Sequence, residues 1–285
     1  MNFYQNSQLY MKNKSNFATC VSHIGKRHNY EDNFLFDGKH IDVDLQKQMP
    51  SKKSIFLTSH FKRRVSFFAI SDGMGGHNAG EVASKICVEK LAELEKTVQN
   101  CLSIKEVVYL AQATIAEINS TVCEMSYKQK DLRGMGSTLV LLIICGEEIA
   151  ILNIGDSRAY KFDGYSIIQL TKDNTEGQRM LDLELLTSEE IKSFPARKNL
   201  TRYIGYGEAG FILKADEYYP IINNEMILLC SDGVTDALNE YEMKNILSKE
   251  LDMGVSGKML IEQAIAVDNA DNADNATAIL VNIER

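Results

Sequence analysis

The sequence has little of what a nucleic-acid or membrane partner requires. Its formal net charge over 285 residues is -8, whereas proteins that bind nucleic acid or anionic lipid present a broad basic face. The longest apolar run, "LVLLIIC", is too short to cross a bilayer, and the first residues, "MNFYQNSQLYMKNKSN", lack the apolar centre of a signal peptide. We therefore expect a cytoplasmic protein without a nucleic-acid or membrane partner.

The six cysteines form no C-x-x-C pair, and several lie inside apolar runs as small hydrophobic residues do. This distribution predicts buried free thiols in a reducing compartment. The chain also has no internal repeat and no linker rich in proline or serine. We expect one domain over residues 1–285, with a short polar tail at 1–15. The polar, basic segment Gly38 to Arg64 is interpreted as an insertion between two strands, either a long hairpin or a mobile loop.

Several motifs that define large enzyme classes are also missing. The glycine-rich stretch "SDGMGGHNAGEVASKICVEK" has neither the lysine of "GxxxxGK[ST]" nor the spacing of "GxGxxG". There is no H-E-x-x-H pair, no "GxSxG" nucleophile turn, and no cysteine followed by arginine six positions later. A nucleophilic serine or cysteine of a known pattern is therefore not available, and a zinc site of the H-E-x-x-H type is excluded.

The elements that are present predict an α+β protein. Strand-like runs rich in β-branched and aromatic residues are separated by short turns, which favours antiparallel pairing; they are "FATCVSHI", "VSFFAI", "TLVLLIIC", "EIAILNI", "RAYKF", "SIIQL", "MILLC" and "ATAILVNI". Two long amphipathic helices follow the glycine-rich stretch, the second beginning with the capping box "SIKE". Shorter helices are predicted at "TSEEIKSF", "NEYEMKNIL" and "GKMLIEQAIAV". The order indicates antiparallel sheets with helices packed outside them.

Five aspartates share one local pattern, an apolar run that ends or begins beside the acid. Asp72 lies in "FFAISDG", Asp156 in "AILNIGDSRA", Asp232 and Asp236 in "MILLCSDGVTD", and Asp274 before the strand in "DNATAILV". Any one of them alone is more often a turn residue or a helix cap. Strand ends distant in sequence can meet at one edge of a sheet, however, and clustered carboxylates repel one another unless cations neutralise them.

Oxygen-only ligation favours magnesium or manganese. Two such ions could activate a shared water for attack on phosphorus. In "GKRHNYEDNFLFDG", Arg27 could hold two phosphate oxygens as a fork, and Glu31 and Asp32 could orient metal-bound waters. The alternative interpretation of Arg27 is a solvated turn residue.

Eight motifs in order, spanning roughly Phe17 to Ile283, resemble the metal-dependent serine/threonine protein phosphatases, the PPM or type 2C family, in its bacterial branch: "RHNYEDNFL", "AISDGMGGHNAGEVAS", "GMGSTLV", "NIGDSRAY", "QLTKDN", "LTRYIG", "LLCSDGVTDAL" and "DNATAILV". The resemblance implies a four-layer α-β-β-α sandwich, in which two antiparallel sheets are flanked by helix pairs and a binuclear magnesium or manganese site lies at one end. It also implies a flap beside the site at Thr175 to Asn199.

The same resemblance implies a role for each candidate residue. Asp72 would bridge the two metals, the Gly73 carbonyl would bind one of them, and Asp232 and Asp274 would bind the other. Glu31 and Asp32 would hold metal-bound waters, and Arg27 would hold the substrate phosphate. Asp156 and Asp236, together with Asp232, match a third and weaker metal site.

Two positions depart from the family pattern. Asn174 replaces the usual histidine of "QLTKDN", which concerns the anchoring of the flap. Met74 stands where eukaryotic relatives have a histidine proposed as general acid, and we favour water over His77 as the acid here.

The expected activity is hydrolysis of phosphoserine and phosphothreonine in proteins, opposing a serine/threonine kinase. The alternatives are a small-molecule phosphomonoesterase and a weakly active binding module of the same fold.

Overall fold

The computed structural model describes residues 16–42, 53–75, 79–208, 210–249, 251–267 and 273–283. The predicted tail at 1–15, most of the first half of the insertion, and His77 lie outside these residues. Strands form two antiparallel sheets; they are β1 (Phe17–His23), β2 (Asp32–Phe36), β3 (Ser54–His60), β4 (Val65–Met74), β5 (Gly136–Ser137), β6 (Leu139–Cys145), β7 (Glu148–Ile154), β8 (Arg158–Phe162), β9 (Ile167–Gln169), β10 (Asp216–Tyr218), β11 (Met226–Cys230) and β12 (Ala276–Asn282).

Seven α-helices and two short 3-10 turns complete the described elements. The 3-10 turns are Val98–Asn100 and Lys130–Leu132, and the helices are α1 (Ala79–Thr97), α2 (Ile104–Lys128), α3 (Glu176–Asp182), α4 (Ser188–Lys192), α5 (Asp232–Thr235), α6 (Glu240–Leu247) and α7 (Met253–Val267). In the part of the chain that the structure describes, no helix is long and apolar enough to span a membrane. All six cysteines are buried and unpaired, as predicted.

The strand order explains how distant parts of the chain come together. One sheet runs β3-β1-β12-β11-β8-β9, and the other runs β10-β7-β6-β4-β2, with β5 paired to the end of β4. The strand β12 therefore lies between β1 and β11, although β1 precedes it by most of the chain. Because β4 reaches from Val65 to Met74, it pairs with β2, β6 and β5 along its length.

Alternation of side chains along the strands produces the four layers. In β6, Leu139, Leu141 and Ile143 pack with α1 and α2, while Val140 and Leu142 pack into the space between the sheets. A third cluster joins the outer face of the β1-containing sheet to α6 and α7. The three apolar clusters are the three contacts between the layers of an α-β-β-α sandwich, and the predicted fold class is confirmed.

Local sequence signals account for most helix boundaries. Ser103 caps α2 by accepting a hydrogen bond from the Glu106 N–H, and Thr187 and Asn239 form complete capping boxes before α4 and α6. The predicted capping box at "SIKE" is incomplete, because the Glu106 carboxylate accepts from the Leu102 N–H, one residue before the cap. The helices α3 and α5 were not predicted, because each is too short to show a helical period.

All eight predicted strands are present, and four further strands are not in the prediction. Both β5 and β10 have three residues or fewer, and β2 belongs to a motif that was interpreted for its charged residues. The fourth, β3, lies inside the predicted insertion and pairs with β1 at the edge of the sheet. The strands β2 and β4, which flank the insertion, pair with each other in the opposite sheet, and the prediction of a hairpin or a mobile loop did not include this edge strand. The described part of the insertion adds an edge strand to the facing sheet.

Ion pairs attach the C-terminal end of the insertion to the helix α1 and to the turn after β2. The Arg63 guanidinium lies 3.4 Å from a Glu95 carboxylate oxygen and 3.6 Å from Asp37. Glu95 is buried in α1 and also accepts a 3.0 Å hydrogen bond from the Phe67 N–H of β4. Burial raises the pKa of Glu95 and nearby Arg63 opposes that shift. This contact joins the insertion to the helix that carries the glycine-rich stretch into the core.

Candidate active site

The predicted site residues Asp32 and Asp72 lie directly opposite each other in the β2–β4 pair. Asp32 is only 1% exposed, and its Oδ2 accepts hydrogen bonds from the hydroxyls of Ser231 (2.7 Å) and Thr277 (2.6 Å). The backbone of Asp72 is held through Thr138, whose hydroxyl accepts from the Asp72 N–H at 3.0 Å and whose N–H donates to the Asp72 carbonyl at 2.8 Å. Both carboxylates are therefore attached to rigid strand backbone.

Two glycines allow α1 to approach the end of β4. A Cβ on Gly73 would lie 2.2 Å from the Gly80 carbonyl oxygen, and a Cβ on Gly80 would lie 2.7 Å from the Gly73 carbonyl carbon. Only residues without a side chain can pack at this distance. Gly73 and Gly80 of the glycine-rich stretch thus bring the first turn of α1 against the residue that follows Asp72. No phosphate-binding loop is required to explain these two glycines.

The remaining predicted aspartates come from the opposite sheet and from the loop between the sheets. Asp232 begins α5 immediately after β11, and the Asp236 N–H donates to the Asp232 carbonyl at 2.7 Å, so the two residues are one helical turn apart. Asp274 precedes β12, the neighbour of β11. Asp156 lies in the turn from β7 to β8, which crosses from one sheet to the other. Asp236 does not cap the next helix, since Asn239 caps α6.

These carboxylates interact electrostatically across the end of the sandwich. Burial and the charges of Asp232 and Asp32 raise the pKa of Asp72 well above its ordinary value. Burial is also the main cause that raises the pKa of Asp32 and of Asp156 to about 7 and that of Asp232 to about 6. The protein thus holds several acids that cannot all be charged at neutral pH without a compensating cation.

Two basic side chains reach the edges of this carboxylate cluster. Arg27 Nη2 donates to Asp274 Oδ2 at 2.7 Å, and Lys198 of the predicted flap donates to Asp236 Oδ2. Glu31 is partly buried, and its pKa is raised by burial and lowered by the Arg27 charge. The structure thus brings every predicted charged site residue to one end of the sandwich, and it places Gly73 directly after Asp72.

The donor set consists of oxygen atoms, which suits magnesium or manganese. Across residues 16–42, 53–75, 79–208, 210–249, 251–267 and 273–283, no three His, Cys, Asp or Glu side chains are already arranged to hold a metal ion. Asp274 and Asp236 instead point to basic side chains, and Asp32 is bound by two hydroxyls. A cation that replaced the ion-pair partners would allow the Asp274 and Asp236 carboxylates to rotate toward it.

Asn275 is a structural residue of the site that sequence reasoning missed. Its side-chain oxygen accepts from the N–H groups of Glu31 (2.6 Å) and Asp32 (3.1 Å), and its amide donates to the carbonyls of Ile24 (2.8 Å) and Asn29 (3.2 Å). It therefore joins the Arg27 loop to the start of β12. Ser231 and Thr277 were missed as well, although a polar residue inside each of two apolar runs was a visible signal.

Asn174 has the anchoring position that its departure from the family pattern suggested. Its side-chain oxygen accepts from the Gly155 N–H at 3.0 Å, and its amide donates to Asp216 at 2.9 Å. Its carbonyl also accepts from Thr201, just beyond the flap. Asn174 thus links the base of the flap to the turn that carries Asp156. His77, the alternative general acid, lies outside the described residues.

A cleft of about 260 Å³ lies between the carboxylate cluster and the flap. Its walls include Asp156, Asp232 and Asp236 on one side and Gln178, Arg197 and Lys198 of the flap on the other. Arg158 also lines it and is held in place by a fork of hydrogen bonds to Asp173 of 2.6 to 3.1 Å. The cleft is thus continuous with the carboxylates and is bordered by basic groups.

Comparisons with known proteins agree with this fold. The chain is 32% identical over 212 residues to the serine/threonine phosphatase stp of Listeria monocytogenes, an alignment that covers 74% of this chain and 82% of that protein. It is 31% identical over 216 residues to the phosphatase PstP of Mycobacterium tuberculosis, covering 76% of this chain and 40% of PstP.

Among solved structures, the serine/threonine phosphatase Stp1 from Staphylococcus aureus superposes with a TM-score of 0.76 at 26% identity, covering 94% of this chain and 95% of Stp1. The protein phosphatase 2C family matches residues 45–256. This match covers more than half of the chain and includes the strand ends that carry Asp72, Asp156 and Asp232. Together with the identity to the curated relatives, it shows that the chain belongs to the protein phosphatase 2C family and is a bacterial-type protein-serine/threonine phosphatase.

Proposed function

We propose that this phosphatase hydrolyses phosphoserine and phosphothreonine in proteins at a centre of two magnesium or manganese ions, with a third ion bound more weakly. The observation that carries the proposal is the cluster of carboxylates from both sheets, of which Asp32 is buried and Asp72 and Asp232 are half-buried; their pKa values are raised by desolvation and by one another's charge. A divalent cation would relieve the cost of holding these charges together.

The ligand assignment is the one that the family resemblance implies, and positions in the cluster support it. Asp72 interacts with both Asp232 and Asp32, so it is the residue suited to contact both ions of the pair, with the Gly73 carbonyl beside it. Asp232 and Asp274 would complete the pair, and Asp156 and Asp236 would share Asp232 to hold the weaker ion. When bound, these ions lower the pKa of water and withdraw negative charge from the phosphate.

Arg27 is proposed to bind the substrate phosphate. Its Nη2 donates to Asp274 in the structure, and a guanidinium has five N–H donors, so other donors remain to form a fork with phosphate oxygens. The side chain is 47% exposed, which allows a bulky phosphoprotein to reach it. Arg27 thus brings the phosphate to the carboxylate cluster and orients it.

Glu31 and Asp32 are proposed to orient water. Asp32 uses Oδ2 for Ser231 and Thr277, which leaves Oδ1 as an acceptor fixed in direction by the strand. Glu31 is partly exposed and its backbone is held by Asn275. The substrates are expected to include a serine/threonine kinase or the proteins it phosphorylates.

Release of phosphate from a phosphothreonine peptide, a phosphotyrosine peptide and a small phosphate ester would test this function. We expect manganese-dependent hydrolysis of the phosphothreonine peptide with the highest kcat/KM, and loss of activity in EDTA that added manganese restores. Full activity in EDTA would overturn the metal assignment. Preference for the small ester would overturn the assignment of protein substrates.

A further inference from the structure

Lys198 forms an ion pair with Asp236 at the outer edge of the carboxylate cluster. Its Nζ donates to Asp236 Oδ2 across 38 residues of sequence, and the two side chains are 54% and 43% exposed. The charge of Lys198 also stabilises ionised Asp232, one helical turn away from Asp236. Lys198 therefore supplies positive charge at two of the three carboxylates assigned to the weaker ion.

The backbone that carries Lys198 is fixed on both sides. The Gly177 N–H donates to the Arg197 carbonyl at 3.1 Å, and the Glu176 N–H donates to the Asn199 carbonyl at 2.9 Å. A Cβ on Gly177 would lie 2.7 Å from the Arg197 carbonyl oxygen, so the two segments pack as closely as they can. Backbone hydrogen bonds on both sides of Lys198 thus fix the segment of the flap from which its ammonium group reaches Asp236.

We propose that Lys198 is a tethered counter-ion that competes with the third divalent cation for Asp236. The inference rests on the third-ion assignment in the proposed function. A metal ion bound at Asp236 beside the Lys198 ammonium would bring two positive charges together on one carboxylate, so filling the site favours departure of the Lys198 side chain. By thermodynamic reciprocity, whatever holds Lys198 on Asp236 weakens metal binding by the same factor. Lys198 thus sets the metal concentration at which the third site fills.

The binding of Mn²⁺ to the wild-type protein and to Lys198→Gln, followed by calorimetry, tests the proposal without measuring activity. We expect the two tight sites to keep their affinities and the weakest site to bind about two- to fivefold more tightly, the range that a half-exposed ion pair contributes. Lys198→Arg, which keeps the charge, should leave the weakest site near its wild-type affinity.

Arg197→Gln is the matched control, because Arg197 lines the same cleft and carries the same charge but is not the partner of Asp236. An equal gain in Mn²⁺ affinity at the weakest site in Arg197→Gln and Lys198→Gln would overturn the inference. Such a result would show that the loss of any nearby positive charge, and not the loss of the Asp236 partner, strengthens metal binding. An unchanged affinity of the weakest site in Lys198→Gln would also overturn the inference, but it would not affect the proposed pair of metals. Absence of tight Mn²⁺ binding in the wild-type protein would instead overturn the proposed function and the inference with it.

Discussion

At the scale of single residues, Asp72 is a carboxylate on which the charges of three other aspartates act, namely Asp232, Asp32 and Asp156. It lies opposite Asp32 across two strands, and the charge of Asp232 from the other sheet raises its pKa. Its backbone is fixed at both the N–H and the carbonyl, so it cannot move away from this charge. A neutral residue of the same shape in place of Asp72 should therefore have two effects. It should relieve the repulsion among the carboxylates, and it should remove a proposed metal ligand.

We expect Asp72→Asn to abolish hydrolysis, with kcat lowered by well over about tenfold, or about 1.4 kcal/mol of transition-state stabilisation. In EDTA at pH 8 the variant should melt at a higher temperature than the wild-type protein, since one buried charge is gone. The exposed Asp131→Asn is the control and should change neither quantity. Activity above about a tenth of wild type would remove Asp72 from the bridging role.

Arg27→Ala should raise KM several-fold, because the phosphate loses a guanidinium fork while the carboxylates remain. Steady-state kinetics on a phosphothreonine peptide would measure the effect, and Arg27→Lys should recover part of it through charge alone. Unchanged KM and kcat in Arg27→Ala would return this residue to the interpretation of a solvated turn residue.

At the scale of elements, the close packing of α1 against β4 depends on Gly80. We expect Gly80→Ala to lower the free energy of unfolding by about 1–3 kcal/mol through overpacking and to reduce activity by displacing the residues around Asp72. Chemical denaturation would measure the first effect and phosphate release the second.

Gly254→Ala provides the comparison, because Gly254 also occupies the second residue of a helix, α7. A Cβ there would meet the end of the Phe56 side chain at 2.9 Å, and Phe56 is 41% exposed and can move. This variant should be neutral or gain up to about 1 kcal/mol from helix propensity. Equal losses in the two variants would show that general helix packing, and not the Gly73–Gly80 contact, is responsible.

Elements whose signals are local were predictable from the sequence, and those that depend on distant partners were not. The strand-end aspartates could be recognised because an apolar run and an acid are neighbours in sequence. The strand β3 was not recognised, since it lies in a segment rich in lysine and arginine and its place in the sheet depends on its pairing with β1. The roles of Asn275 and Lys198 were hidden for the same reason, because their partners lie 244 and 38 residues away.

At the scale of the whole molecule, the carboxylate cluster makes stability depend on pH and metal. Burial raises the folded-state pKa of Asp32 and Asp156 to about 7 and that of Asp232 to about 6, above the roughly 3.9 of an unfolded aspartate. The unfolded chain therefore releases these protons first. The stability they contribute is complete below about pH 4 and is lost as pH rises through about 6 to 7.

Thermal unfolding in EDTA at pH 5, 6, 7 and 8 should accordingly show a melting temperature that falls across this range. Saturating Mn²⁺ should raise the melting temperature most at pH 8, because the cation binds the ionised carboxylates of the folded state. A metal-free protein that became more stable from pH 5 to pH 8 would contradict the cluster as described.

The position of β12 between β1 and β11 has a consequence for synthesis on the ribosome. Ser22 and Thr277, which meet across β1 and β12, are 255 residues apart, so β1 must wait on the order of 10 to 50 s for its partner at about 5–20 residues per second. Until then the sheet lacks a central strand, and Asp274 and Asn275 have not joined the Arg27 loop. A nascent chain should therefore expose an apolar edge that recruits chaperones, and it should acquire phosphatase activity only once β12 has left the ribosome.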